Sequence, residues 1–139
     1  MPGARIRFLT QRLGRPQRVV LAVAAFVAAA AHIPVIAPHL DEAPYMGVLF
    51  VVLTVGCLAI AIAALVRDSA AVYAVATVTC GLAVIGYAAT RLVAFPMLGD
   101  DVGNWFEPLG VVSVLAELVV VVTAVSALRP PRGSIPHAT

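Results

Sequence analysis

Apolar residues run almost unbroken along four stretches of the chain, at positions 19–37, 45–66, 70–95 and 109–128. Each approaches or exceeds the ~20 residues an α-helix needs to cross a hydrocarbon layer about 30 Å thick. A backbone in hydrocarbon finds no water, so each stretch must satisfy its own N–H and C=O groups, which requires helices. Polar positions are confined to short connections at 38–44, 67–69 and 96–108. The tight Arg67–Asp68–Ser69 turn makes the second and third stretches antiparallel neighbours. The predicted fold is all-α, a four-helix transmembrane bundle occupying 19–128. A basic cytoplasmic or interfacial segment precedes it at 1–18, and a Pro-rich, disordered cytoplasmic tail follows at 129–139.

Composition narrows this further. Hydrophobic residues make up 62% of the chain, charged residues 12%, and the mean hydropathy is +1.03. Soluble domains carry about 45–50% apolar and about 25% charged residues. A sizeable soluble domain is therefore excluded, and the expected partner is the lipid bilayer rather than nucleic acid. A membrane-protein partner or a homo-oligomer is compatible with the pattern. Cys57 and Cys80 both fall within apolar stretches. They form no disulfide framework and no CxxC zinc pair, and they read as packing residues that could touch on neighbouring helices.

Charge placement predicts the orientation. Arg5, Arg7, Arg12, Arg15 and Arg18 precede the first span, Arg67 sits in the middle turn, and Arg129 and Arg132 follow the last span. Four spans put all of these on one side, which the positive-inside rule makes cytoplasmic. Asp41, Glu42, Asp100, Asp101 and Glu107 fall on the other side. Both termini are thus expected in the cytoplasm of a multi-pass plasma-membrane protein. The run "AVAAFVAAAAH" also has the look of a signal peptide, whose cleavage near Ala31 would leave three spans. The long n-region and the continuing apolar "IPVIA" argue for the uncleaved form. The basic "ARIRFLTQRLGRPQR" suits the inner leaflet, with Ile6, Phe8, Leu9 and Leu13 inserted.

Small residues are dense in the first three spans, and Gly56, Gly81 and Gly86 read as points of close helix approach. The outer connections "PHLDEAPYMGV" and "PMLGDDVGNWFEPLGV" share a short gapped pattern, as a parallel duplication would leave. "DDVGNWFEPLG" reads as the cap of the fourth span, with Pro108 in the first turn and Glu107 at the positive helix end. Trp105, Phe106 and Tyr45 suit the membrane interface.

Ionisable groups within spans are costly and mark candidate sites. His32, Arg91 and Glu117 qualify. At 1.5 Å per residue, Glu117 lies about 14 Å below the start of its span, Arg91 about 7 Å below Pro96, and His32 about 9 Å below Pro38. Tyr87 and Thr54 fall near the depth of Glu117. Two readings follow. In the first, the polar groups are a structural network. Glu117 pairs with Arg91 or accepts from Tyr87 and Thr54, Arg91 reaches up to Asp100, Asp101 or Glu107, and His32 donates to a carbonyl freed by Pro34 or Pro38. In the second, His32, His39, Glu42 and Glu117 hold a divalent transition metal. His32, His39 and Glu42 form H-x6-H-x2-E, and imidazole with carboxylate suits zinc, iron, nickel or copper(II). The prolines put His39 on a bend in that reading. His137 reads as a solvated tail residue.

Other chemistry is less favoured. Paired-histidine haem ligation would need two histidines within spans, and no GxSxG, HExxH or phosphate-binding glycine loop is present. Acid–base catalysis by Glu117 or His32 on a lipid-borne substrate is the one enzymatic alternative. The inner half of the spans carries almost no ionisable group, so a complete ion pathway is not expected.

"HIPVIAPHLDEAP", "TRLVAFP" and "DDVGNWFEPLG" with Glu117 together resemble small four-span integral membrane proteins of actinobacteria, whose function is uncharacterised. The match covers about residues 30–118, with Ala43 where those proteins often carry an aromatic residue and with an additional Asp pair. The resemblance implies the four-span topology and groups His32, His39, Glu42, Arg91 and Glu117. The sequence thus points to a small integral membrane protein with an outward-facing His/carboxylate site, expected to bind a divalent metal. The alternative is a structural or accessory membrane subunit whose polar residues stabilise the bundle and dock a partner.

Overall fold

In the computed structural model, residues 13–129 are described and form four long helices joined by short links. They are α1 (Arg15–Glu42), α2 (Pro44–Val66), α3 (Ala70–Leu92) and α4 (Pro108–Leu128), with a 3-10 turn at Gly99–Asp101. No strand is found among the described residues, and all four helices are long and apolar enough to cross a membrane. Residues 1–12 and 130–139, which include most of the basic leading segment 1–18 and most of the tail, lie outside the described residues, and Arg15 to Arg18 of that segment already belong to α1.

The helices alternate in direction around a ring. α1 packs against α2 and α4, and α3 packs against α4, whereas α2 and α3 are the loosest of the neighbouring pairs. Alanines make the close contacts possible: Ala25, Ala28 and Ala29 of α1 are buried against Ala61 and Ala64 of α2 and Ala116 and Ala124 of α4. Small faces let backbones approach and gain dispersion contacts where no larger side chain intervenes. Cys57 and Cys80 lie against each other in this core as buried free thiols. The core occupies the half of the bundle nearer Arg18 and Arg67, hereafter the basic end.

The basic end is tied by specific hydrogen bonds. Arg18 Nε donates to Ala64 O at 2.9 Å and Arg18 Nη2 to Leu65 O at 2.6 Å. These are carbonyls of the last turn of α2, which have no donor within their own helix. Asp68 accepts from Leu13 N at 2.9 Å and from the Tyr73 hydroxyl. Ser69 caps α3 by accepting from Val72 N at 3.4 Å.

At the acidic end, the structure departs from the sequence reading in two places. α1 does not end before Pro38 but continues through Pro34 and Pro38 to Glu42, so His39 sits on a helix and not on a bend. Each proline removes only its own bond to the carbonyl four residues back. The following residues still donate, as Ala43 N does to His39 O at 2.8 Å. A single residue, Ala43, then links α1 to α2.

The second departure concerns glycine. A Cβ at Gly81 or Gly86 would meet nothing within 4 Å, and at Gly56 only Thr79 Cγ2 at 3.6 Å. Between helices, the tight glycines are Gly47, where a Cβ would lie 2.6 Å from Leu40 N, and Gly110, where it would lie 2.6 Å from Tyr87 Cε2. The glycines that permit close helix approach are therefore at the acidic end, where one-residue and capped links draw helix ends together.

Candidate functional site

His32 and Glu117 come from different helices and meet. His32 Nε2 lies 3.3 Å from Glu117 Oε1, and the two residues are only 3% and 1% exposed. Helix continuity explains the match in level. His32 lies ten residues before the end of α1 and Glu117 nine residues after the start of α4. At 1.5 Å per residue both lie about 14–15 Å from the acidic end. The shallower depth expected for His32 came from ending the first helix at Ala37.

The pair is close but incompletely bonded. Within the described structure, Glu117 Oε1, His32 Nδ1 and, nearer the acidic end, Arg91 Nε have no hydrogen-bond partner. Buried polar atoms in that state are costly, and each calls for an explanation. Phe50 of α2 closes one side: its ring centroid is 5.5 Å from that of His32 and 4.8 Å from that of His39, with the latter contact edge-on. Thr54 does not reach Glu117, because its hydroxyl donates to Phe50 O at 2.7 Å within α2.

The remaining residues proposed for a metal site do not join the pair. His39 Nδ1 donates to Val35 O at 2.8 Å, one turn back on its own helix. Glu42 ends α1 as an exposed residue. Among the described residues, no three His, Cys, Asp or Glu side chains gather as a set of metal ligands. The four-residue cluster is thus reduced to two, because unbroken helix carries His39 and Glu42 about two and three turns beyond His32.

Arg91 pairs with the connection above it, not with Glu117. Its Nη1 lies 2.7 Å from Asp101 Oδ1 and donates to Asp101 O at 3.2 Å. The guanidinium also sits 4.6 Å over the Tyr87 ring, a cation–π contact. Gly103 N returns a bond to Arg91 O at 2.9 Å, and the Tyr87 hydroxyl donates to Trp105 O at 2.7 Å. The α3–α4 link is therefore folded around the end of α3. Glu107 caps α4, accepting from Leu109 N at 3.1 Å and from Gly110 N. Tyr45 fastens the other link by donating to Pro96 O at 2.7 Å. Asp100 is exposed on the 3-10 turn.

Between these links and the His32–Glu117 pair is a cavity of about 600 Å³. Its inner end is formed by His32, Glu117, Leu53 and Thr79, and its rim by Met46, Phe95, Asp101 and Glu107. Its side wall contains Val52, Val78 and Leu82, which are also strongly exposed on the outer surface. The cavity thus opens sideways between α2 and α3 as well as toward the acidic end. A shallower groove of about 330 Å³ follows the same seam toward the basic end.

Phe50 was not singled out by sequence, and Gly86, read there as a point of close helix approach, instead lines the cavity. Phe50 carries no signal within an apolar run, since its role depends on α1 and α2 being in register. No family model matches the chain, and no curated protein or solved structure does so. Fold and site together define a four-helix protein of span-length helices, with a buried imidazole–carboxylate pair at the inner end of a side-opening cavity.

Proposed function

We propose that this is a small multi-pass protein of the plasma membrane, with both termini cytoplasmic, whose His32–Glu117 pair is the binding centre of an outward-facing cavity. Four span-length apolar helices support insertion. So does the belt of exposed Val, Leu and Ile side chains around the bundle, an unusual surface in water but the ordinary one in lipid. Arginines at one end and carboxylates at the other support the orientation. α1 has 28 residues. At 1.5 Å each it is about 42 Å long, enough to carry His39 to Glu42 past a hydrocarbon layer of about 30 Å.

The observation that carries the binding role is the Glu117 carboxylate, buried beside His32 where the cavity ends, with Oε1 3.3 Å from Nε2 and yet without a hydrogen bond. Native mass spectrometry of protein released from its own membrane in mild detergent tests it. A non-protein species is expected on the wild type and absent from His32→Gln and Glu117→Gln proteins of unchanged helicity. A wild type carrying no such species, with both variants merely less stable, would make the pair a structural lock. Orientation is tested by Asp100→Cys, which should react with an impermeant thiol reagent from outside intact cells.

A divalent metal is the second reading, favoured by one observation. Nε2 and Oε1 at 3.3 Å are spaced as two ligands about 2.0–2.1 Å from one tetrahedral ion would be. The remaining positions would fall to ligands other than the described His, Cys, Asp and Glu side chains. Elemental analysis of metal-loaded wild type beside His32→Ala/Glu117→Ala checks it: equal metal content in the two would refute it.

A further inference from the structure

The nature of the ligand can be read from three features of the cavity, on the assumption that the pair is a binding centre. Its walls are mostly apolar, with Phe50, Tyr87 and Phe95 among them. A volume of about 600 Å³ is in the range of sites that enclose a small organic molecule. The opening between α2 and α3 lies beside Val52, Val78 and Leu82, so a molecule dissolved in the surrounding apolar phase can enter without crossing a polar rim.

Charge then selects among such molecules. The charged groups facing the cavity are Arg91, Asp101, Glu107 and Glu117, with the two imidazoles of His32 and His39. Arg91 is paired with Asp101, 2.7 Å away, although its buried Nε has no hydrogen-bond partner. The Glu107 carboxylate is held by the first turn of α4. Glu117 at the inner end has no arginine partner, and its Oε1 lies 3.3 Å from His32 Nε2 without a hydrogen bond. An anionic head would meet two carboxylates and no free cation among these groups. A cation would meet Glu117 at the closed end, in a cavity whose lining includes Phe50, Tyr87 and Phe95.

We propose that the cavity binds a lipophilic monovalent cation, an ammonium or phosphonium centre with apolar substituents, entering from the bilayer between α2 and α3 and pairing with Glu117. His32 is then a positioning residue. It holds the carboxylate from the α1 side at Oε1, 3.3 Å from Nε2, and leaves the other oxygen to the cation.

The test uses shape-matched ions of opposite charge. Tetraphenylphosphonium and tetraphenylborate are titrated calorimetrically into the full-length protein in neutral detergent, with empty micelles as the reference. Saturable 1:1 binding of the phosphonium is expected, at least tenfold tighter than that of the borate and weakened at least tenfold in Glu117→Gln. Gly86→Phe fills the cavity mouth, since a Cβ there meets nothing within 4 Å, and should weaken binding as strongly. Gly81→Phe, equally unhindered but outside the cavity lining, should bind as wild type does.

Equal affinity for the two ions, or an unchanged Glu117→Gln, overturns the cation proposal. Absence of phosphonium binding overturns it too. In that case a native species lost with Glu117→Gln would leave the site itself standing with a different ligand. Absence of both would remove the site as well.

Discussion

Gly47→Ala is the sharpest test of how α1 and α2 meet. An added Cβ would lie 2.6 Å from both the backbone N and Cγ of Leu40, and 2.7 Å from its Cδ2. Unstrained carbon contacts sit at about 3.5–4.0 Å. The Leu40 side chain can rotate away, but its backbone nitrogen cannot, so the helix ends must part by roughly 1 Å. Overpacking of this kind costs about 1–3 kcal/mol. Replacing glycine by alanine in a helix also returns up to about 1 kcal/mol of propensity, which could hide part of the loss. Gly86→Ala controls for this gain. It makes the same change in a helix where the new Cβ meets nothing within 4 Å. The difference between the two variants is then the packing cost alone, about 1–3 kcal/mol. Unfolding by SDS titration in mixed micelles, followed by circular dichroism, measures both. Because Phe50 lies one turn beyond Gly47, Gly47→Ala should also disturb the ring contacts of His32 and His39. Equal stabilities for Gly47→Ala and Gly86→Ala would refute the close approach.

Other outcomes follow from the same geometry. A double-mutant cycle of His32→Ala and Glu117→Ala should show a coupling of about 0.6 kcal/mol, the average for polar pairs between membrane helices, and no more than about 1.7 kcal/mol. Strict additivity would mean the two side chains do not meet. Glu107→Ala removes the acceptor of Leu109 N and Gly110 N and should cost about 1 kcal/mol, as lost N-caps do. An unaltered unfolding midpoint would count against the cap. Arg18→Gln shortens the reach to Ala64 O and Leu65 O. Faster amide exchange in the last turn of α2, with α4 unaffected, is its expected signature, and uniform exchange across both helices would contradict it.

The apolar runs largely specify which residues form helices, because their length and continuity permit little else where backbone groups must bond internally. The function of Glu107 at the start of α4 was legible for a similar reason: a helix N-terminus, a carboxylate and a proline are neighbours in sequence. His32 and Glu117 were also marked in advance by their cost within apolar surroundings.

What each of them touches was not legible. Local signals placed a bend at Pro38, yet the bonds beyond the proline and the neighbouring α2 keep α1 helical, which lowers His32 to the level of Glu117 and carries His39 and Glu42 away. Arg91 had several acids within reach, and the fold of the α3–α4 link gave it Asp101. Gly47, not Gly81 or Gly86, became the point of closest approach because a one-residue connection draws the ends of α1 and α2 together. The cavity itself belongs to no segment. It exists because α2 and α3 diverge while the other neighbours close, and helix separation depends on side-chain fit across the whole ring, which hydropathy along one chain does not encode.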